Sequence, residues 1–247
     1  MADWDKITRR GNVEDRRGVR NGLASFGITG VLLVMGATYL MGGNPLDVLT
    51  QVDIEQVLTP ASTEDTSQFA GIDSYEQFVS SVLGSTNDYW NNTFLELGNT
   101  YTEPTLVLFR DGTNSGCSGA TSASGPHYCP ADSTIYLDET FFDELTSQLG
   151  ASGGDVAEAY VIAHEVGHHV QNLLGAIDGT RLTNSDSVEI ELQADCYAGL
   201  WAHSLRDQGI FEPNEIAEAM NAAESVGDDS IQQKTQGEVH PESWTHG

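Results

Sequence analysis

Two histidines and a glutamate form the pattern H-E-x-x-H between His164 and His168. In a helix, residues four apart lie about 40° apart around the axis, so both imidazoles project to one side, as two ligands of one Zn²⁺ require. Glu165 is rotated about 100° from His164, so its carboxylate misses the metal and can reach a water bound to it. The pattern therefore predicts a zinc site in which Glu165 is the general base.

A third protein ligand must come from elsewhere, because catalytic zinc sites combine three protein ligands with one open position. The downstream candidates are His203, His240, His246, Asp186, Glu189 and Glu191. Glu191 and Asp195 are four residues apart, so one can bind the metal while the other accepts the N–H on the far side of a histidine ligand. We predict Glu191 as the third ligand of a single Zn²⁺ and Asp195 as the hydrogen-bond acceptor. His169 points about 100° away from His168 and is predicted to pack rather than to bind metal.

Two helices and two strands are predicted around these residues. Residues 156–174 contain no proline and are apolar at helical spacing, and residues 191–201 form a second helical segment. The Gly-, Asp- and Thr-containing stretch between them is long enough to turn the chain back, so the two helices are expected to pack together. Residues 105–109 and 134–138 have the composition of short strands.

The N-terminal part contains a stretch, residues 23–41, without any charged side chain. As a helix it would span roughly 28 Å, close to the thickness of the hydrocarbon layer of a bilayer. The alternatives are a cleaved signal peptide, whose apolar region is usually shorter, and a buried core helix. The length favours an uncleaved transmembrane helix over residues 23–43.

The basic side chains set the orientation of this anchor. Six of the ten Lys and Arg residues lie in the first twenty positions, and the positive-inside tendency keeps such a flank in the cytoplasm. The predicted organisation is a cytoplasmic segment 1–22, the membrane anchor, a linker 44–70 and a catalytic domain 71–247 outside the cytoplasm. The protein is thus expected at the cell membrane, in a single-pass arrangement.

The overall charge excludes one class of partner. The 37 Asp and Glu residues outnumber the 10 Lys and Arg residues, which gives a net charge of -27. Such a field repels the phosphates of nucleic acids, so no DNA or RNA partner is expected.

Two of the three cysteines bracket a loop rich in Gly and Ser. We predict a disulfide between Cys117 and Cys129, which an oxidising compartment would favour. The alternative is a pair of unpaired thiols. Cys196 lies within an apolar helical pattern and is predicted to be a small core residue.

The chain resembles the bacterial neutral zinc metallopeptidase family nearly from end to end. The matching segments are residues 12–18 (NVEDRRG), 125–126 (GP) with 128–130 (YCP), 135–138 (IYLD), 163–172 (AHEVGHHVQN), 191–196 (ELQADC), 226–229 (VGDD) and 244–247 (WTHG). The resemblance implies a zincin-like α+β domain, mainly helical with a small sheet, and a glutamate as third zinc ligand. Members usually continue past the final WTHG segment, so a C-terminal part is expected to be missing from this sequence.

The resemblance also implies hydrolysis of peptide bonds, and hence a peptide or protein substrate. Related enzymes use a downstream His or Tyr to stabilise the oxyanion, which makes His246 a candidate for this second catalytic role. Two other functions stay open at this point. One is a zinc-dependent hydrolase of other amides, because H-E-x-x-H does not dictate the bond that is cleaved. The other is a non-enzymatic, membrane-anchored scaffold that contains zinc, although such a site has no use for the base Glu165.

Overall fold

The computed structural model describes residues 2–7, 10–18, 72–117, 119–121, 125–142, 154–177, 184–212 and 215–217. The chain divides into two compact units. One combines residues 1–16 with residues 72–247, and the other comprises residues 17–71. The helices and strands named below all belong to the first unit.

A four-stranded sheet forms one layer of this unit, with the strand order β1-β2-β6-β5. Its strands are β1 (Val13–Asp15), β2 (Thr105–Phe109), β5 (His127–Cys129) and β6 (Thr134–Asp138), and a separate antiparallel pair consists of β3 (Gly112–Asn114) and β4 (Gly119–Thr121). β1, β2 and β6 run parallel, whereas β5 lies antiparallel to β6 at one edge. The two strands predicted from composition are confirmed as β2 and β6.

Apolar side chains cover both faces of the central strands. Leu106, Leu108, Ile135 and Leu137 join the main core together with residues of the helices. On the other face, a smaller cluster contains Val107, Phe109, Ala120, Cys129 and Tyr136. A strand that is buried on both faces needs apolar residues at successive positions, which explains why β2 and β6 lack the alternating pattern of half-exposed strands.

Three long helices form the second layer: α1 (Ser74–Glu96), α2 (Asp155–Leu173) and α3 (Asn184–Leu205). α1 begins where the side chain of Asp73 accepts a hydrogen bond from the backbone N–H of Glu76 at 2.8 Å. α2 is the central helix, since it packs against α1, α3 and β5. The mixed content of helices and a small sheet confirms the predicted α+β class.

His169 fixes α2 to the sheet. It is completely buried, its Nε2 donates a hydrogen bond to the carbonyl of Thr102 at 2.6 Å, and its Nδ1 accepts one from the hydroxyl of Tyr128 at 3.0 Å. Burial lowers the pKa of His169, which favours the neutral ring that this bonding pattern requires. His169 thus packs against the sheet, as predicted.

The N-terminal segment is an integral part of the same unit, which differs from the predicted domain division. Trp4 is buried, and its indole N–H donates to the Asp155 carboxylate at 2.9 Å. β1 pairs with β2 in parallel, and the backbone N–H of Leu106 donates to the carbonyl of Asn12 at 2.9 Å. Strands on opposite sides of a bilayer cannot pair. The prediction that residues 1–22 are separated from the catalytic domain by a membrane is therefore wrong for residues 2–16.

Several predictions fall on residues outside the described ranges. These are the membrane anchor 23–43, the linker 44–70 and the catalytic role of His246. Within the described ranges, the structure contains no helix whose length and apolar character would suit a bilayer crossing.

The disulfide between Cys117 and Cys129 is formed, with the two Cα atoms 5.7 Å apart, and this prediction is confirmed. It attaches the loop after β3 to the end of β5. Cys196 is exposed and is not bonded to another cysteine, so the prediction of a core position is wrong. The neighbouring Ala194 and Ala198 are the buried positions of this turn of α3, and Cys196 lies on the opposite side of the helix.

Candidate metal centre

Three side chains that could share a metal ion converge between α2 and α3. They are His164, His168 and Glu191, whose potential ligand atoms all lie within 4.8 Å of one another. Nε2 of His164 is 3.2 Å from Oε2 of Glu191, and Nε2 of His168 is 3.5 Å from Oε1 of the same carboxylate. The exposed fractions of the three side chains are only 14%, 13% and 10%. The structure thus brings together the three residues that were predicted to hold zinc.

The local sequence explains this convergence. α2 has His164 and His168 one helical turn apart, and Val166 and Val170 are buried in the core, which fixes the rotation of the helix. Gly167 faces α3, and its lack of a side chain lets the two helices approach closely at Ala194. The helices therefore lie near enough for a glutamate of α3 to reach both imidazoles of α2.

Asp195 determines which nitrogen of His164 faces the other ligands. Its carboxylate accepts a hydrogen bond from Nδ1 of His164 at 2.7 Å and another from the hydroxyl of Tyr160. A carboxylate can only accept, so Nδ1 of His164 carries a proton and Nε2 is the nitrogen available to a metal. Burial and the charge of Asp195 raise the pKa of Tyr160, so the phenol stays protonated and continues to donate.

The charges of the three groups are strongly coupled in the metal-free protein. Burial disfavours the charged form of His164, but hydrogen bonds to Asp195 and Glu191 outweigh burial and raise its pKa to about 10. Burial likewise opposes the charged form of Glu191, and hydrogen bonds from His164 and His168 lower its pKa to about 2. This shift favours a proton on Nε2 of His164, facing the carboxylate of Glu191, whenever no metal is bound.

Glu165 lies beside this group without belonging to it. Among the described residues, the set whose ligand atoms converge contains His164, His168 and Glu191 only. Glu165 is 6% exposed, and its negative charge raises the pKa of both histidines. Glu165 is therefore placed as expected for a residue that acts as a base and does not bind the metal. Its catalytic role stays a prediction.

The donor set can be tested against the requirements of zinc. Two imidazole nitrogens and one carboxylate oxygen form a combination that catalytic Zn²⁺ sites use, with a fourth position left for water or substrate. An all-oxygen set would suit Mg²⁺ or Ca²⁺ instead. The residues present therefore fit Zn²⁺, although ligation itself stays a prediction.

Two residues that contact the predicted site were not identified from the sequence. Tyr160 donates to Asp195, and Oε1 of Gln171 lies 2.9 Å from Nδ1 of His168. Their spacing was an available signal, because Tyr160 precedes His164 by four residues and Gln171 follows His168 by three. Both therefore lie on the helix face that presents the histidines.

Comparisons with known proteins show the family to which the chain belongs. The family described as "Putative neutral zinc metallopeptidase" matches residues 2–247, and the chain belongs to this family. The protein is similar to "Uncharacterized protein YpfJ" of Escherichia coli strain K12, with 40% identity over 260 residues, 99% of this chain and 90% of the relative. It is also similar to "Uncharacterized protein Rv2575" of Mycobacterium tuberculosis, with 41% identity over 222 residues, 84% of this chain and 76% of the relative. No solved structure matches.

Proposed function

We propose that the protein is a zinc-dependent peptidase with a zincin-like catalytic domain, which holds one Zn²⁺ through His164, His168 and Glu191. One observation carries the proposal: two imidazole nitrogens and a carboxylate converge between two helices, and Glu165, the residue next to His164, contributes a second carboxylate that is buried. Membership in the family described as "Putative neutral zinc metallopeptidase" supports hydrolysis of peptide bonds as the reaction. The substrate class we propose is a peptide or protein.

The chemistry that a bound Zn²⁺ supplies is Lewis acidity, which activates a water and polarises the scissile carbonyl. Glu165 would accept a proton from the attacking water as the C–O bond forms, and would then pass it to the nitrogen of the leaving amine as the peptide C–N bond breaks. Asp195 keeps the proton of His164 on Nδ1. The burial of Glu165 excludes bulk water from the base. His246 stays the proposed donor to the oxyanion.

The location of the domain forms a second part of the proposal. The disulfide between Cys117 and Cys129 supports an oxidising compartment outside the cytoplasm. Attachment to the cell membrane through residues 23–43 is proposed from their apolar composition, and the pairing of β1 with β2 requires residues 2–16 to lie on the same side of the membrane as the catalytic domain. Fractionation of cells into membrane and soluble parts would test the attachment, and recovery of the intact chain in the soluble part would contradict it.

The decisive experiment combines metal analysis with digestion of an unbiased peptide library by the intact protein. We expect about one zinc per chain, cleavage of internal peptide bonds, loss of cleavage with a chelator and recovery when Zn²⁺ is restored. Zinc without cleavage of peptides would overturn the proposal. In that case, turnover of other amides would identify a different hydrolase, and the absence of any turnover would indicate a scaffold.

A further inference from the structure

Gln171 is a polar side chain beside the candidate metal centre whose amide donates two hydrogen bonds and accepts one. It lies on α2, three residues after His168, and is completely buried. Its Nε2 is 2.7 Å from the carbonyl of Ile190 and 3.0 Å from Oε1 of Gln193, and its Oε1 is 2.9 Å from Nδ1 of His168. A buried amide whose donors and acceptor are all paired is held in one orientation.

The partner at Ile190 fixes which end of the amide faces His168. A backbone carbonyl can only accept, so the atom 2.7 Å from it must be the NH₂ group of Gln171. The oxygen of Gln171 then faces His168, and it too can only accept. Nδ1 of His168 therefore carries a proton, and Nε2, which lies on the side of Glu191, is the nitrogen available to a metal.

The same amide connects His168 to the helix that carries the third ligand. Ile190 directly precedes Glu191 in α3, so the hydrogen bond to its carbonyl fixes the backbone of α3 relative to His168. Gln171 thus acts on two ligands at once, one through its oxygen and one through its nitrogen. Asp195 performs the first of these tasks for His164, but it lies on α3 itself and donates no hydrogen bond.

We propose that Gln171 is a positioning residue of the metal centre, which selects the Nδ1–H form of His168 and ties it to the position of Glu191. The inference rests on the zinc site of the proposed function, but not on hydrolysis. Residues that orient metal ligands in this way typically contribute 10- to 100-fold to metal affinity. The effect is therefore measurable on zinc binding alone.

The test compares Gln171→Leu with Gln208→Leu, which changes an exposed glutamine after α3 in the same way. Zinc affinity is measured by competition with a chelating dye, and the geometry of the site by the visible spectrum of the Co²⁺-substituted protein. We expect Gln171→Leu to weaken zinc binding about 10- to 100-fold and to change the Co²⁺ spectrum, whereas Gln208→Leu leaves both unchanged. Equal affinities of Gln171→Leu and the unchanged protein would overturn the inference.

A second variant separates the two tasks of the amide. In Gln171→Glu, an oxygen still faces His168, but neither oxygen can donate to the carbonyl of Ile190. We expect this variant to bind zinc more weakly than the unchanged protein as well, and full affinity would overturn the connection to Glu191. If the unchanged protein itself binds no zinc, the proposed function fails before any variant is compared.

A measurement without substitution keeps the inference testable if Gln171→Leu does not fold. Proton–nitrogen NMR of the zinc-loaded protein reports which ring nitrogen of each histidine carries the proton. We expect a slowly exchanging proton on Nδ1 of His168, because it is hydrogen-bonded to the side chain of Gln171, which is completely buried. A proton on Nε2 of His168 would overturn the inference.

Discussion

Gly167 and Ala194 lie so close together that a Cβ atom on Gly167 would stand 3.0 Å from both Cα and the carbonyl oxygen of Ala194. Both of these contacts are backbone atoms, which cannot rotate away as a flexible side chain would. Gly167 directly precedes His168 in α2 and Ala194 follows Glu191 by three residues in α3, so this contact sets the distance between ligands contributed by different helices.

Gly167→Ala should therefore separate α2 from α3. We expect a loss of about 1–3 kcal/mol of unfolding free energy from overpacking, together with weaker zinc binding. Gly199→Ala is the matched control, because a Cβ on Gly199 of α3 meets nothing within 4 Å. Alanine is the better helix former by about 1 kcal/mol, so this control should be slightly stabilising. Urea unfolding measures the stability of both variants, and zinc competition measures their zinc affinity. Equal values for Gly167→Ala and Gly199→Ala would show that the close contact at Gly167 does not position α2 and α3.

Glu165→Gln removes the proposed base but retains the size of the side chain. Because Glu165 lies outside the converging ligand set, zinc binding should change little. Peptide hydrolysis should fall about 10²- to 10⁴-fold, the usual contribution of general acid–base catalysis. Measuring zinc content and turnover on the same preparation separates the two effects. A variant that hydrolyses peptides at the original rate would remove Glu165 from the mechanism.

Asp195→Ala leaves Nδ1 of His164 without its acceptor and the hydroxyl of Tyr160 without its partner. We expect zinc affinity to fall about 10- to 100-fold, because the ring of His164 is no longer held in one orientation. Tyr160→Phe should have a smaller effect, since Asp195 can still accept from His164. Zinc competition measures both, and a larger loss in Tyr160→Phe would contradict this order.

Zinc binding should release protons at neutral pH. His164 has a pKa of about 10 in the metal-free protein, so its Nε2 carries a proton that the metal must displace. Zinc affinity is then expected to rise with pH from neutrality towards that value. Calorimetry in two buffers of different ionisation enthalpy measures the protons released, and an identical binding heat in both buffers would contradict the expectation.

The same shift makes the stability of the metal-free protein dependent on pH. The pKa of His164 is raised from an ordinary value of 6.5 to about 10, so the folded state binds its proton more tightly than the unfolded state. This contribution is fully present below pH 6.5 and is lost as the pH rises through about 10. Urea unfolding of the metal-free protein along this range should show declining stability.

Trp4 tests whether the N-terminal segment belongs to the folded unit. Its ring packs edge-on against Phe78 of α1 at 5.5 Å between centroids and stacks with Trp201 of α3 at 6.5 Å. Trp4→Ala should cost about 3–5 kcal/mol of unfolding free energy, as for other buried aromatic residues. Asp5→Ala, at an exposed neighbouring position, should change it by less than about 0.5 kcal/mol. Equal unfolding midpoints would show that the segment does not pack.

The side chains of the candidate metal centre could be predicted because their directions within each helix are local. The spacing between His164 and His168, and that between Glu191 and Asp195, fixes the directions of the side chains once each segment is helical. The strands β2 and β6 could be found from their length and composition. In each case, the information lies within a few residues of one segment.

The remaining features depend on packing between distant segments. Nothing near Gln171 indicates that its amide reaches Ile190, and nothing near Trp4 indicates Asp155, which lies 151 positions further along the chain. β1 contains only three residues, VED, too few for a strand pattern. The basic residues around β1 instead indicated a cytoplasmic tail. Charge can be read directly from a sequence, whereas the pairing of β1 with the distant β2 cannot.

β1 has a practical consequence for work on this protein. A fragment that begins after the apolar stretch, at residue 44, lacks the strand that covers one side of β2. The amide of Leu106 and the carbonyl of Leu108 then lose their partners at Asn12 and Arg16, and an uncovered strand edge promotes aggregation. Adding a synthetic peptide of residues 1–16 to such a fragment should restore its solubility by complementation in trans.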